Sequence, residues 1–235
     1  MTEWEDDFTV EEKNETFMEL SWWERIKYTF VQPSKTMKYL AEKPKILFPV
    51  LVIIIGFLGY TLLKMDLLIE FTKQQMILQM QKMDAPPLTE IPDEYVKFAV
   101  WFAMGGTVAV PVLIWFGKGL VIHLTAKAFK GSGKLKSALS AVGYSYLILV
   151  IGEGIRTVIA LLTKNYLVLT SLALFLPDTQ MGTPLYALLG SLDVFSIWYL
   201  SVLTIGLSHT HQIDTKKSGL IVFGSWAAMI LISVS

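Results

Sequence analysis

The stretch ILFPVLVIIIGFLGYTLL, residues 46–63, decides the fold class. It carries no charged side chain, and at ~1.5 Å per residue it covers roughly 27 Å, close to the thickness of a bilayer's hydrocarbon layer. Similar apolar runs follow at about 95–116, 137–162, 184–207 and 218–234. The chain has 235 residues, of which 53% are hydrophobic and 17% charged, where a soluble domain carries about 25% charged residues. Half of the 20 acidic residues lie before Lys45. The sequence therefore predicts an all-α integral membrane bundle of five transmembrane helices with an N-terminal cytosolic interfacial helix.

Three regions are expected. Residues 1–20 are acidic and read as a flexible N-terminus, with too little apolar surface to bury. Residues 21–45 read as interfacial amphipathic helices. At helical spacing Trp22, Trp23, Ile26 and Phe30 share one side, and the tryptophans suit a headgroup layer. A short helix packed on the domain is the other reading. Ser34 is the expected N-cap of a second short helix, which ends before Pro44. Residues 46–235 form the five-span membrane domain. The first span is expected to run on as an amphipathic helix over Asp66–Met83, until Pro86-Pro87 stops it. The second contains Gly105-Gly106 and Pro111, tolerated in membrane helices and often marking kinks. Tyr166–Leu176 has 11 residues, too few to cross straight. It reads as re-entrant, interfacial, an overhang of the third helix or part of a sixth span. Acidic residues stand where a secretory signal would be basic, so the first apolar run is expected to persist as a signal anchor.

Loop charge sets the orientation. With the N-terminus inside, the inner segments carry Arg25, Lys27, Lys35, Lys38, Lys43, Lys45, Lys118, Lys127, Lys130, Lys134, Lys136, Lys216 and Lys217. The outer segments carry only Lys64, Lys73, Lys82, Lys97 and Lys164. The positive-inside rule then places the N-terminus in the cytosol and the C-terminus outside. Arg25 and Arg156 are the only arginines, a lysine bias associated with AT-rich bacterial genomes. A bacterial cell membrane is the expected location.

Candidate functional residues are few. Glu153 and Arg156 stand at i and i+3 on the third span and can pair. Asp193 lies in the fourth span, with Arg156 as its expected cross-helix partner. This intramembrane charged cluster reads either as a relay or substrate site, or as an ion pair that holds helices in register. A paired charge is the usual way to tolerate burial. Gly143, Tyr144, Gly152, Gly154 and Gly190 mark close helix packing. His123 reads as an interfacial histidine. His209 and His211, with Asp214, read as a solvated loop; a metal there would need further ligands that the neighbouring sequence does not supply. No cysteine is present, which excludes disulfides, thiolate ligands and a cysteine nucleophile. No H-E-x-x-H, G-x-S-x-G or P-loop pattern occurs. The Glu153-Gly154-Ile155-Arg156 stretch lacks the second acid and the spacing of an intramembrane prenyl-protease. No catalytic residue, metal or cofactor is expected. A formal net charge of zero and the lack of a basic stripe argue against nucleic acid.

Several motifs resemble the Yip-domain family, relatives of the Ypt/Rab-interacting proteins, in its bacterial branch. They are Phe30-x-x-Pro33-Ser34-Lys35-Thr36 with Glu42-Lys43-Pro44, then Phe129-Lys130-Gly131-Ser132-Gly133, Gly143-Tyr144, Asp193-Val-Phe-Ser-Ile-Trp198, and Leu203-Thr-Ile-Gly206-Leu207. Ile148 stands where the family's Gly-Tyr-x-x-x-Pro pattern wants proline. The resemblance implies five spans, a cytosolic N-terminus and no enzymatic activity. Eukaryotic members act in vesicle traffic through small GTPases, a role not transferable to a bacterium. Bacterial relatives look like accessory membrane proteins, some working with ABC-type export systems.

Three functions are open. The first is a non-catalytic scaffold or accessory subunit, bound to membrane lipids and to another membrane protein or to itself. The second is a small transporter or channel using Glu153, Arg156 and Asp193. The third is a lipid-binding or membrane-shaping protein.

Overall fold

The computed structural model describes residues 19–82, 91–177 and 180–234. Most of the expected acidic terminus, and Pro86-Pro87, lie outside that range. Among the described residues the fold is all helical, without strands beyond one isolated bridge.

Helix α1 (Trp22–Val31) starts at a capping box. The Glu24 amide donates to Ser21 Oγ at 3.3 Å, and the Ser21 amide donates to Glu24 Oε2 at 2.9 Å. It stops before Pro33, which opens α2 (Pro33–Glu42) at its first position. Gln32, not Ser34, is therefore the N-cap of α2, and Ser34 is left free to hydrogen-bond His209 at 2.7 Å. Helix α3 (Leu47–Leu63) carries the first apolar run, and α4 (Met65–Lys82) leaves it at Lys64 with a 74° bend. Then come α5 (Asp93–Ala128), α6 (Leu135–Thr163), α7 (Pro184–Ser191), α8 (Val194–His211) and α9 (Thr215–Val234).

Two expectations change here. The stretch 184–207 is not one helix: it breaks between Ser191 and Val194, so Asp193 lies in the break. Tyr166–Leu176 holds only a four-residue 3-10 turn, Leu172–Phe175, after extended chain. It is not a helical overhang.

Helix α6 is the hub, packed on α3, α5 and α8. Its small residues allow this, since in lipid close backbone approach replaces the hydrophobic effect as the source of helix attraction. Ser137, Ala138, Ser140, Ala141, Gly143 and Ser145 are all buried. On α8, a Cβ added at Gly206 would lie 3.0 Å from Met37 Sδ and 3.1 Å from Ala141 Cβ, so α2, α6 and α8 meet there.

The N-terminal helices are part of this bundle. Met37 and Leu40 are fully buried against it, and Thr29 and Thr36 both donate to the Arg25 carbonyl, at 2.7 and 3.1 Å. The side expected for the α1 anchors divides. Trp22 and Trp23 stay 57% and 60% exposed, whereas Ile26 and Phe30 pack on the core.

The periphery is apolar and uncovered: Phe98, Trp101 and Phe102 of α5 and Leu231 and Ile232 of α9 are all exposed. Helices α5, α6 and α9 are each long and apolar enough to cross a bilayer, and the bent α3–α4 pair is a fourth candidate. Charged and polar side chains gather in two layers. One holds Lys64, Glu153, Arg156 and Asp193; the other holds the contacts of His123, His209 and His211. Helices α3 and α8 connect them, and 17 or 18 residues at ~1.5 Å each make the apolar slab between about 25–27 Å thick.

Candidate functional site

The first of these layers is a closed charge network. Glu153 projects from α6 and uses both oxygens: Oε1 accepts from Lys64 Nζ at 2.7 Å, and Oε2 accepts from Arg156 Nε at 3.1 Å. Lys64 reaches it because α3 ends there, and α4 bends away over it. Arg156 Nη1 donates to Thr170 Oγ1 at 2.8 Å and lies 3.5 Å from Asp193 Oδ2. The Thr170 hydroxyl in turn donates to Asp193 Oδ2.

Asp193 is the N-cap of α8. Its Oδ1 accepts the amides of Phe195 and Ser196 at 3.0 and 3.1 Å, satisfying donors that a helix start leaves open. Its backbone bridges Ser171, and the Leu172 amide donates to the Leu192 carbonyl at 3.2 Å. The short Tyr166–Leu176 segment is thereby stitched to the break between α7 and α8. Two cations and two anions balance, and every carboxylate oxygen has a partner.

Aromatic rings flank the network. The Tyr166 ring lies 5.2 Å from Lys64 Nζ and stacks on Phe71 at 4.9 Å. Burial, assisted by the Glu153 charge, holds the Tyr166 phenol above its ordinary range, so it stays neutral. Phe195 lies 5.8 Å from the Arg156 guanidinium. Two glycines make room: a Cβ at Gly152 would come within 2.6 Å of Phe195 Cγ, and one at Gly154 within 2.7 Å of the Tyr60 hydroxyl.

Other expected residues fall elsewhere. Gly143 seats Pro49 and Trp115, and the fully buried Tyr144 accepts a 2.9 Å hydrogen bond from Arg25 Nε. Gly190 approaches only Ala173 Cβ, at 4.0 Å, and marks no close helix contact. His209 and His211 are not a solvated loop. They end α8, and His211 is fully buried, its Nε2 2.9 Å from His123 Nδ1. Gly131 and Gly133 pack beside it in the turn before α6, which lets the Ser132 amide reach the His211 carbonyl at 2.9 Å. No group of three or more metal-ligating side chains occurs among the described residues.

Three participants were not legible as such in the sequence. Lys64 looks like an outer-loop lysine, Thr170 and Tyr166 like parts of a short connector. The available signal for Lys64 was its place directly after the last apolar residue of a span.

Uncovered apolar helices of bilayer length, closed at one end by a neutral charge network, define a multi-pass α-helical membrane protein. The chain belongs to the Yip1 domain family, whose sequence model matches residues 27–235. That match takes in α2 and every later helix. No curated protein and no solved structure matches the chain.

Proposed function

We propose that this protein is a non-catalytic accessory or scaffold subunit for another membrane protein, in a bacterial cell membrane. The observation that carries the reading is the closure of the charge network. Glu153 and Asp193 each have both oxygens engaged by Lys64, Arg156, Thr170 or helix amides. Neither acid of the network has an oxygen left without a partner. The network instead fastens α3, α6, α8 and the 166–176 connector into one rigid end. Membership of a family not known for enzymatic activity agrees with this. The family resemblance suggests an ABC-type export system as the partner class.

Five spans are proposed: α3, α5, α6, the broken α7–α8 and α9, with α4 lying along the surface. The support is that α3 and α8 connect the same two polar layers as α6. The N-terminus is proposed cytosolic, from the lysine distribution.

The test has two arms. Purification in a native detergent is expected to return the protein with a stoichiometric integral membrane partner, while proteoliposomes of the pure protein show no ion or peptide flux. Flux that Asp193→Asn abolishes would establish the transporter reading instead. Bare protein from every mild detergent would remove the basis of the scaffold reading.

A further inference from the structure

Lys118 is not a loop residue. It lies inside α5, which continues to Ala128. His123 meets His211 and marks the near polar layer; Lys118 is five residues, about 7.5 Å, deeper into the slab. Helical side chains lean toward the helix N-terminus, so the Lys118 stem leads further from that layer. Its ammonium ends 4.9 Å from the centre of the Tyr199 ring. Tyr199 is twelve residues, about 18 Å, along α8 from His211. The charge therefore stands in the interior of the apolar slab. The ring face is a favourable neighbour, but no carboxylate lies within ion-pair distance among the described residues.

Around this charge α5, α8 and α9 leave a cleft of about 250 Å³. Ile114, Val121, Leu203, Val222, Trp226 and Met229 give it apolar walls. Tyr199 also lines it, and its hydroxyl is fully buried with no hydrogen-bond partner. An unpaired ammonium and an unpaired hydroxyl are both costly at this depth. The Tyr199 hydroxyl is closed off from the cleft, so an acceptor group entering it would satisfy the ammonium alone.

We infer that this cleft binds a long-chain carboxylic acid, with the carboxylate at Lys118 and the alkyl chain along the α5–α9 wall. Charge selects an acid. Depth selects a carboxylate on a single chain, because a phospholipid's phosphate is held at the interface. Volume selects a chain-like occupant, because a partner helix is about 10–12 Å across with its side chains and would cover the cleft without entering it.

The test uses the full-length protein in nanodiscs of zwitterionic phospholipid, photolabelled with a diazirine-bearing palmitic acid and mapped by mass spectrometry. Adducts are expected within residues 114–122 and 222–229. Palmitate should compete roughly tenfold better than hexadecanol or methyl palmitate, the preference a charge-assisted hydrogen bond confers. Lys118→Met should abolish that preference and Lys118→Arg should keep it. Gly117 lines the cleft, and a Cβ there meets nothing within 4 Å. Gly117→Val should therefore fold normally and exclude the probe. The inference is overturned by equal labelling from the acid and its ester, or by labelling unchanged in Gly117→Val. Absence of adducts in the two segments, or displacement by phosphatidylglycerol but not by palmitate, overturns it too.

Discussion

Arg156 is the residue on which the charge network turns, because it alone touches both acids. Its Nε holds Glu153, and its Nη1 reaches Thr170 and Asp193. Replacing it by Gln leaves Asp193 with neutral partners only. Breaking a buried ion pair on one side costs about 3–5 kcal/mol; at 23% side-chain exposure the lower end is expected. Thermal unfolding in nanodiscs should show this loss for Arg156→Gln. The double variant Arg156→Gln, Asp193→Asn should recover part of it, since no unpaired charge then remains at that end. Additive losses would mean the two side chains do not interact. Two glycines, one on α6 and one on α7, separate in the same way. Gly152→Ala drives a methyl into Phe195, so an overpacking loss of about 1–3 kcal/mol is expected. Gly190→Ala, in the last turn of α7, meets only Ala173 at ordinary contact distance, and should stay within about 0.5 kcal/mol. Equal effects at both positions would contradict the packing described.

At the scale of elements, the covering of α1 and α2 is the feature that the sequence leaves between two readings. Their amphipathic pattern is legible in the sequence, and so are their limits at Pro33 and Pro44. What covers the apolar side is not, because lipid and a neighbouring helix both satisfy the same periodicity. The small side of α8 at Gly206 decides it by letting Met37 in. Met37→Ala should cost about 2–5 kcal/mol as a core truncation, measured by the same unfolding assay. Val31→Ala, at a 62% exposed position, should stay within about 0.5 kcal/mol. If α1–α2 merely rested in the headgroups, the two variants would behave alike. The same limit explains the other elements. Residues 46–63, 95–116, 137–162 and 218–234 announce helices α3, α5, α6 and α9 through long, predominantly apolar runs. The bend at Lys64 and the break at Leu192-Asp193 contain no Pro or Gly to announce them. They exist because Lys64 and Asp193 are drawn into a network with residues 89 positions away in one case and 23 in the other. Glu153, Arg156 and Asp193 stand out in sequence as charges among apolar neighbours; Thr170 does not, because a threonine in a connector needs no partner.

For the whole molecule, the proposed set of crossing helices predicts which side of the membrane each connection faces, and the chain offers a clean way to read it. It has no cysteine, so each introduced thiol reports one site. Thr163 ends α6, Lys134 precedes α6, and Lys217 opens α9; all three are exposed. The proposed topology puts Thr163→Cys outside the cell and both Lys134→Cys and Lys217→Cys in the cytosol. An impermeant maleimide applied to intact cells should label the first alone, and the other two only after permeabilisation. The pattern separates two claims. Exchange of all three sides would reverse the orientation and overturn the lysine argument while leaving the spans intact. Labelling of Thr163→Cys and Lys217→Cys from the same side would mean that α7–α8 does not cross. That outcome has a physical route, because α7 has no buried residue and the break at Asp193 interrupts the apolar run. Against it stands α8 itself, whose 18 residues lead from the charge network to the histidine layer beside α6. Its ends are both polar and the stretch between them is predominantly apolar, as crossing requires. Opposite sides for Thr163 and Lys217 are therefore the expected result.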